Sequence, residues 1–288
     1  MATPREIKRR IRSVGNTAQI TRAMEMVAAS KMRRAQQHVV ATRPYAERIR
    51  AMVGDLASVG VEEQSRFPLL VQRPIRRSEI ILITSDKGLA GAFNANVIRR
   101  ALRFMANERP EGPENVDMIT VGRKGRDFYT RFGKNLVAEF PQNGEQPSMD
   151  LVRAIVQVAI SDFESEKVDA VYVAHTKFIN TLRQTAEIQQ VLPIQAPEGS
   201  GEITDYIFEP SPAEVLEALL PRFVEVQIFQ ALLESIASEH SSRMVAMRSA
   251  TDNARDLVRE LTLTYNKVRQ SQITREVSEI AAGAAALS

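Results

Sequence analysis

The chain contains no cysteine, which excludes disulfides, thiolate metal sites, thiol nucleophiles and control by thiol oxidation. Histidine is nearly as scarce, and His38, His175 and His240 stand too far apart to form a local ligand cluster. Long apolar runs are missing too: no stretch approaches the roughly 20 residues of a membrane-spanning helix. The opening residues turn charged at Arg5, without the apolar segment and small-residue cleavage site of an export signal. A chain that stays on the cytoplasmic side is expected. Helix breakers are scarce at the two ends: residues 5–59 hold only Gly15, Pro44 and Gly54, and residues 213–282 hold only Pro221.

What is present is an ordinary apolar and charged fraction over 288 residues, enough for one or two folded domains. The net charge is +3, yet residues 5–34 carry nine Lys or Arg against Glu6 and Glu25, a local +7 that leaves −4 for the rest. A basic helix of this kind wants an acidic partner: nucleic acid, anionic lipid or protein carboxylates. Protein is favoured over nucleic acid, because the segment lacks aromatic residues to stack on bases.

Apolar and small residues recur at three and four residue steps along both ends, the period of a helix with a narrow seam. In the first helix Ile7, Ile11, Val14 and Ala18 form a stripe. Ile20, Met24 and Val27 continue it after a slip, followed by Ala28, Met32, Ala35, Val39, Ala46, Ile49, Val53 and Leu56. The second helix opens at Ser211, Pro212 and Glu214, a serine cap with proline in the first turn and glutamate three residues on. Its seam runs Val226, Phe229, Leu233, Ile236, His240, Arg243, Met247, Ala250, Ala254, Leu257, Leu261, Thr264 and Val268. Pro221 is expected to kink this helix or to mark its true start. A seven-residue repeat implies a left-handed supercoil. At about 1.5 Å per residue the helices would measure roughly 80 and 110 Å, so an antiparallel pairing leaves the tip of the second unpaired.

Between them the texture changes to short β-rich runs with proline and glycine punctuation. Strands are predicted at residues 78–84, 116–121, 170–175 and 186–192, and helices at 93–107, 123–132 and 149–166. Alternation of strand and helix argues for a small, mostly parallel sheet covered on both faces. The fold class is therefore α+β overall. A long antiparallel, left-handed coiled coil is built from the N-terminal helix (residues 1–60) and the C-terminal helix (211–288), and it carries a Rossmann-like α/β middle domain (61–210).

No constellation for catalysis stands at a readable interval, and no catalytic, cofactor-binding or metal-binding residue is assigned. The loop from Ser85 to Asn94, with Gly88 and Gly91, follows a strand and opens a helix, where bare amides could cradle a phosphate. It lacks the three-glycine dinucleotide spacing and the Gly-Lys-Ser/Thr ending of a P-loop, so a tight turn that binds nothing fits it better. Asp162, Glu164 and Glu166 alternate near a helix end and are expected to face water. His175 and His240 are expected to be packed or hydrogen-bonded.

Two stretches, ITRAMEMVAASKMRR (residues 20–34) and ITREVSEIAAGAAA (273–286), resemble the γ subunit family of F-type ATP synthases. Residues 241–253 (SSRMVAMRSATDN), 263–270 (LTYNKVRQ) and the loop at 85–94 look like the same family, so the resemblance spans essentially the whole chain. It implies a non-catalytic rotor shaft without cofactor, turning inside a hexamer of three α and three β subunits. The middle domain would sit below it with ε on the membrane-embedded c-ring, and no nucleic acid would be involved. Carried over by motif, Arg22, Met24 and Glu25 would lie near an acidic loop of β. Arg243, Gln270, Thr274 and Glu276 would make polar contacts, and Ile280, Ala284 and Leu287 would belong to a tip turning in an apolar collar. Plastid members carry a cysteine-containing regulatory insertion that this chain lacks, and the absence of a transit peptide favours the cytoplasmic face of a bacterial membrane. Two other readings stay open on sequence: a nucleotide-binding α/β enzyme using the Gly88 and Gly91 loop with the helices as a dimerisation arm, and a coiled-coil nucleic-acid binder using its basic helix.

Overall fold

The computed structural model describes residues 3–59, 67–108, 112–132, 135–142, 147–195, 209 and 211–286. Five helices and five strands follow in chain order among them: α1 (Pro4–Val59), β1 (Ser78–Ile83), α2 (Phe93–Asn107), β2 (Val116–Val121), α3 (Arg123–Arg131), β3 (Leu136–Phe140), α4 (Met149–Glu164), β4 (Ala170–Phe178), β5 (Gln184–Leu192) and α5 (Pro212–Ala286). Packing divides the chain into two compact units, one of residues 1–28 with 244–288, the other of residues 29–243. Both α1 and α5 contribute to each.

In the larger unit the sheet runs β3-β2-β1-β4-β5. β1, β2, β3 and β4 are mutually parallel where they pair, and β5 returns antiparallel to β4. Every residue of β1 and β2 is buried, as central strands covered on both faces must be. One face carries Ile81, Ile83, Ile119, Val121, Val171 and Val173 against α4, the end of α1 (Val53, Leu56) and the start of α5 (Phe223, Val224, Ile228). The alternate residues Ile80, Leu82, Met118 and Tyr172 face the other way, against Val97, Ala101 and Phe104 of α2 and Tyr129 of α3. β3 was not anticipated from sequence. It is an edge strand whose residues alternate between half-buried and exposed, with Glu139 turned outward, so its apolar signal is half that of a central strand.

The caps explain where the long helices begin. At α1 the Thr3 N–H donates to Glu6 Oε2 at 2.9 Å and its hydroxyl accepts from the Glu6 N–H at 3.4 Å, a reciprocal box around Pro4. At α5 the Ser211 hydroxyl accepts the Glu214 N–H at 3.3 Å and donates to Glu214 Oε1 at 3.2 Å. Of the readings offered, the opening at Ser211 and Pro212 is the one found and a later start at Pro221 is not: α5 begins at Pro212 and continues through Pro221, as α1 does through Pro44. Burial of Leu216, Leu220, Phe223 and Val224 around that position outweighs the ~3 kcal/mol that an interior proline costs.

The seam of α1 also differs from its sequence reading. A continuous seam of buried or half-buried residues runs Ile7, Ile11, Val14, Ala18, Thr21, Glu25, Ala28, Met32, Ala35, Val39, Thr42, Ala46, Ile49, Val53 and Leu56, alternate steps of four and three with no slip, and other half-buried residues such as Met24, Ala29 and His38 flank it. Thr21, Glu25 and Ala28 hold the seam positions where Ile20, Met24 and Val27 were expected: Ile20 is 61% and Val27 55% exposed, and Met24 is half-buried beside the seam. Along the C-terminal part of α5 the seam is Met247, Thr251, Ala254, Val258, Leu261, Tyr265 and Val268. Leu257 and Thr264, placed in it by sequence, are exposed instead.

Candidate functional site: a filled crevice and a polar inlay

In the smaller unit α1 and α5 pair antiparallel. The hydroxyls of Thr21 and Thr251 share a hydrogen bond of 2.7 Å in a buried setting, and Thr251 also donates to the Met247 carbonyl at 2.8 Å. One turn further along α1, Glu25 is 6% exposed. Its carboxylate takes Arg22 at 2.9 Å from its own helix and Arg248 at 3.3 Å from the partner helix. Two consecutive seam positions on α1 are thus polar and answered across the helix pair. A buried hydroxyl or carboxylate left without its partner costs free energy, so this inlay penalises every other axial register. Sequence reasoning followed hydrophobicity and missed Thr21, Thr251 and Arg248; a strict count of seven from Ile7 reaches Thr21 directly.

In the larger unit the chain order of the sheet reverses between β1 and β4, and the crevice beyond the carboxyl ends of those strands is where open α/β sheets hold their ligands. Here α5 fills it. Ser235 Oγ accepts from the Thr176 N–H at 3.2 Å, Ser238 donates to the Thr176 carbonyl at 3.1 Å and Ser241 to the Thr181 carbonyl at 2.7 Å. Arg243 reaches the carbonyls of Lys87 and Gly88 at 3.4 and 3.2 Å and pairs with Glu239 at 2.7 Å, both side chains being nearly buried. Burial is the main cause that holds the Glu239 carboxyl above its ordinary range, against the attraction of Arg243. The loop is satisfied internally as well: the Ser85 N–H donates to Asn94 Oδ1 at 3.0 Å, and Asp86 Oδ1 accepts from the amides of Arg123 and Gln142 at 3.0 and 3.3 Å. The turn thus offers carbonyls to a guanidinium, which is the opposite of a phosphate cradle.

Met24 is half-buried and Arg22 half-exposed. Gln270, Thr274 and Glu276 are exposed, as is Ile280 at 73%. Ala284 is helical, while its side chain, and Leu287 altogether, lie outside the described residues. His240 is buried, with Arg243 Nη1 3.4 Å from its Nδ1. His175 is buried between Glu187 at 3.4 Å and Glu234 at 3.7 Å. Glu234 keeps a lowered pKa because the hydrogen bonds from His175 and Gln230 outweigh the larger single effect of its burial. Asp162 was expected to face water and is instead buried against Lys167 at 2.7 Å: the chain turns at the end of α4 and folds the lysine back over it. Among the described residues no group of three His, Cys, Asp or Glu is arranged to hold a metal, and no helix is long and apolar enough to cross a membrane.

The larger unit is an α/β sheet whose usual ligand crevice is filled by α5, and the smaller one is an antiparallel helix pair with a polar inlay, the class of a long-helix protein with a sheet domain between its two ends. A family model described as ATP synthase matches residues 3–287. The chain is 55% identical to the ATP synthase gamma chain of Roseiflexus castenholzii over 289 residues, covering all of this chain and 99% of the relative. It is 53% identical to that of Chloroflexus aurantiacus, with the same shares covered, and 46% identical to that of Dehalococcoides mccartyi over the whole of both. Among solved structures, a chain of the Euglena gracilis mitochondrial ATP synthase in rotational state 3 matches with a TM-score of 0.69 at 20% identity, covering 99% of this chain and 94% of that one. A chain of the Tetrahymena thermophila mitochondrial ATP synthase central stalk and c-ring matches with a TM-score of 0.60 at 24% identity, covering 80% of this chain and 99% of that one. The protein belongs to the ATP synthase gamma chain family.

Proposed function

We propose that this chain is the central rotor shaft of an F-type ATP synthase, coupling ion-driven rotation of a membrane ring to conformational change in catalytic subunits, and the reverse during ATP hydrolysis. The observation that carries the non-catalytic part is the filled crevice: the place where an α/β sheet would do chemistry is occupied by residues 235–243 of α5. Nucleotide binding and catalysis then belong to the partner α and β subunits. Two unlike helices present different side chains around their common axis. Three equivalent β subunits surrounding such a pair each meet a different side, and a contact shifts a conformational equilibrium by its differential affinity for the two states. Turning the pair shifts each subunit in sequence.

In this reading residues 1–60 and 211–288 form the shaft, and residues 61–210 form the domain that meets ε and the c-ring. The chain is peripheral to the cytoplasmic face of a bacterial membrane through the complex. Arg22, Met24 and Glu25 approach β, with Glu25 acting through Arg22, whose guanidinium it holds. Arg243, Gln270, Thr274 and Glu276 make the polar contacts higher up, Arg243 while tethering the loop at Lys87 and Gly88. Ile280, Ala284 and Leu287 turn in an apolar collar, where small uncharged side chains avoid the cost of desolvating charge at each step.

The test is Met24→Lys in the assembled enzyme in membrane vesicles. The added cation beside an acidic β loop should leave ATP hydrolysis running while ion transport per ATP falls; unchanged coupling would remove Met24 from the interface. Calorimetric titration of the chain with ATP and with NAD should give no heat of binding, and appreciable binding would favour the nucleotide-enzyme reading instead.

A further inference from the structure

We propose that the groove between α2 and α3 is a docking surface for an acidic amphipathic helix of a partner protein. These helices form the outer layer on one face of the sheet, and the trough between them has a volume of about 720 Å³. Its floor is apolar: Ala95, Ile98 and Leu102 from α2 face Phe128 and Phe132 at the end of α3. Phe132 is 65% exposed and Leu102 37% exposed, and the rings of Phe128 and Phe132 lie 4.6 Å apart.

The rim carries Arg99, Lys124 and Arg131, and Asp127 is the one acid among the lining residues. That carboxylate is taken by Arg126 through bonds of 3.1 and 2.8 Å, so the trough keeps a net positive charge and asks for carboxylates from its occupant. Each wall offers residues 94–102 or 124–132, roughly 12 Å of helix, which is two turns of a third helix laid alongside. Apolar anchors at i, i+4 and i+7 would meet the floor while acidic residues on either side of them met the rim. The trough is too open to bury most of a small molecule. A bilayer is flat and does not enter a concavity, and a nucleic acid has no apolar stripe to offer Leu102 and Ile98. Protein is the occupant the chemistry fits.

The test uses the full chain and a synthetic 14-residue helical peptide, fluorescein-labelled, with Leu at i, i+4 and i+7 and Glu flanking them, read by fluorescence anisotropy. The same peptide with Lys for Glu and phosphatidylglycerol vesicles serve as comparison ligands. The acidic peptide should bind, and Leu102→Glu or Phe132→Glu should weaken it at least ~10-fold without changing the circular dichroism melt, since both side chains are exposed in the fold. The double variant Lys124→Glu with Arg131→Glu should reverse the preference toward the lysine peptide. The proposal is overturned if the acidic peptide does not bind, if its binding ignores all of these variants, or if vesicles bind in its place and lose binding in the variants.

Discussion

Glu79 lies within β1, fully buried, and neither of its carboxylate oxygens has a hydrogen-bond partner. Burial first, then the carboxylates of Asp162 and Asp117, push its pKa up to about 8 from an ordinary 4.5, against the opposing pull of Lys167. Arg77 is held on Asp117 at 3.1 Å. In the unfolded chain Glu79 loses its proton near 4.5, whereas the folded chain keeps it until about 8. The unfolded state therefore binds fewer protons throughout that window, and stability contributed by the protonated group falls as pH rises from 4.5 to 8. Glu79→Gln should flatten this slope and raise the denaturation midpoint at pH 9 more than at pH 5. Equal shifts at both values would show that Glu79 does not carry the proton. Gly122 is a different kind of constraint: its φ is +93° and an added Cβ would run into the Thr84 carbonyl and hydroxyl. Gly122→Ala should cost more than the ~1 kcal/mol typical of a point change, because backbone and not a flexible side chain stands in the way; thermal unfolding measures it.

At the level of elements, β1, β2 and α2 were legible because pattern and burial coincide: residues 80–83 are continuously apolar and all buried. β3 was illegible because it is only five residues long and they alternate between half-buried and exposed, so it never forms an apolar run. The helix pair was legible as a period, while its register was not, since Thr21 and Glu25 sit where an apolar residue was sought. What a sequence scan cannot supply is the partner across the seam, Thr251 or Arg248, that makes a polar residue acceptable there. The crevice was legible only as a weak motif, because the serines and arginine of α5 that fill it lie some 150 residues further on. The register of α5 can be checked directly. Val258→Asp places a charge in the seam and should destabilise by about 1–3 kcal/mol, whereas Leu257→Asp on the exposed side should stay within about 0.5 kcal/mol. Denaturant melts showing the reverse order would restore the sequence-based register.

For the molecule as a whole, the sheet domain has its ligand crevice occupied by α5. Arg243→Ala would leave Glu239 buried without its cation and release the carbonyls of Lys87 and Gly88, a loss on the order of 3–5 kcal/mol, visible as a lower melting temperature without any gain of nucleotide binding. The central claim is that the protein acts as a turning contact surface. The absence of cysteine permits a single label: Arg103→Cys, exposed on α2, biotinylated and carrying a bead in a surface-immobilised complex with the α and β subunits. On adding ATP the bead should rotate in one direction with three pauses per turn. Sustained ATP hydrolysis with the bead stationary would contradict the account.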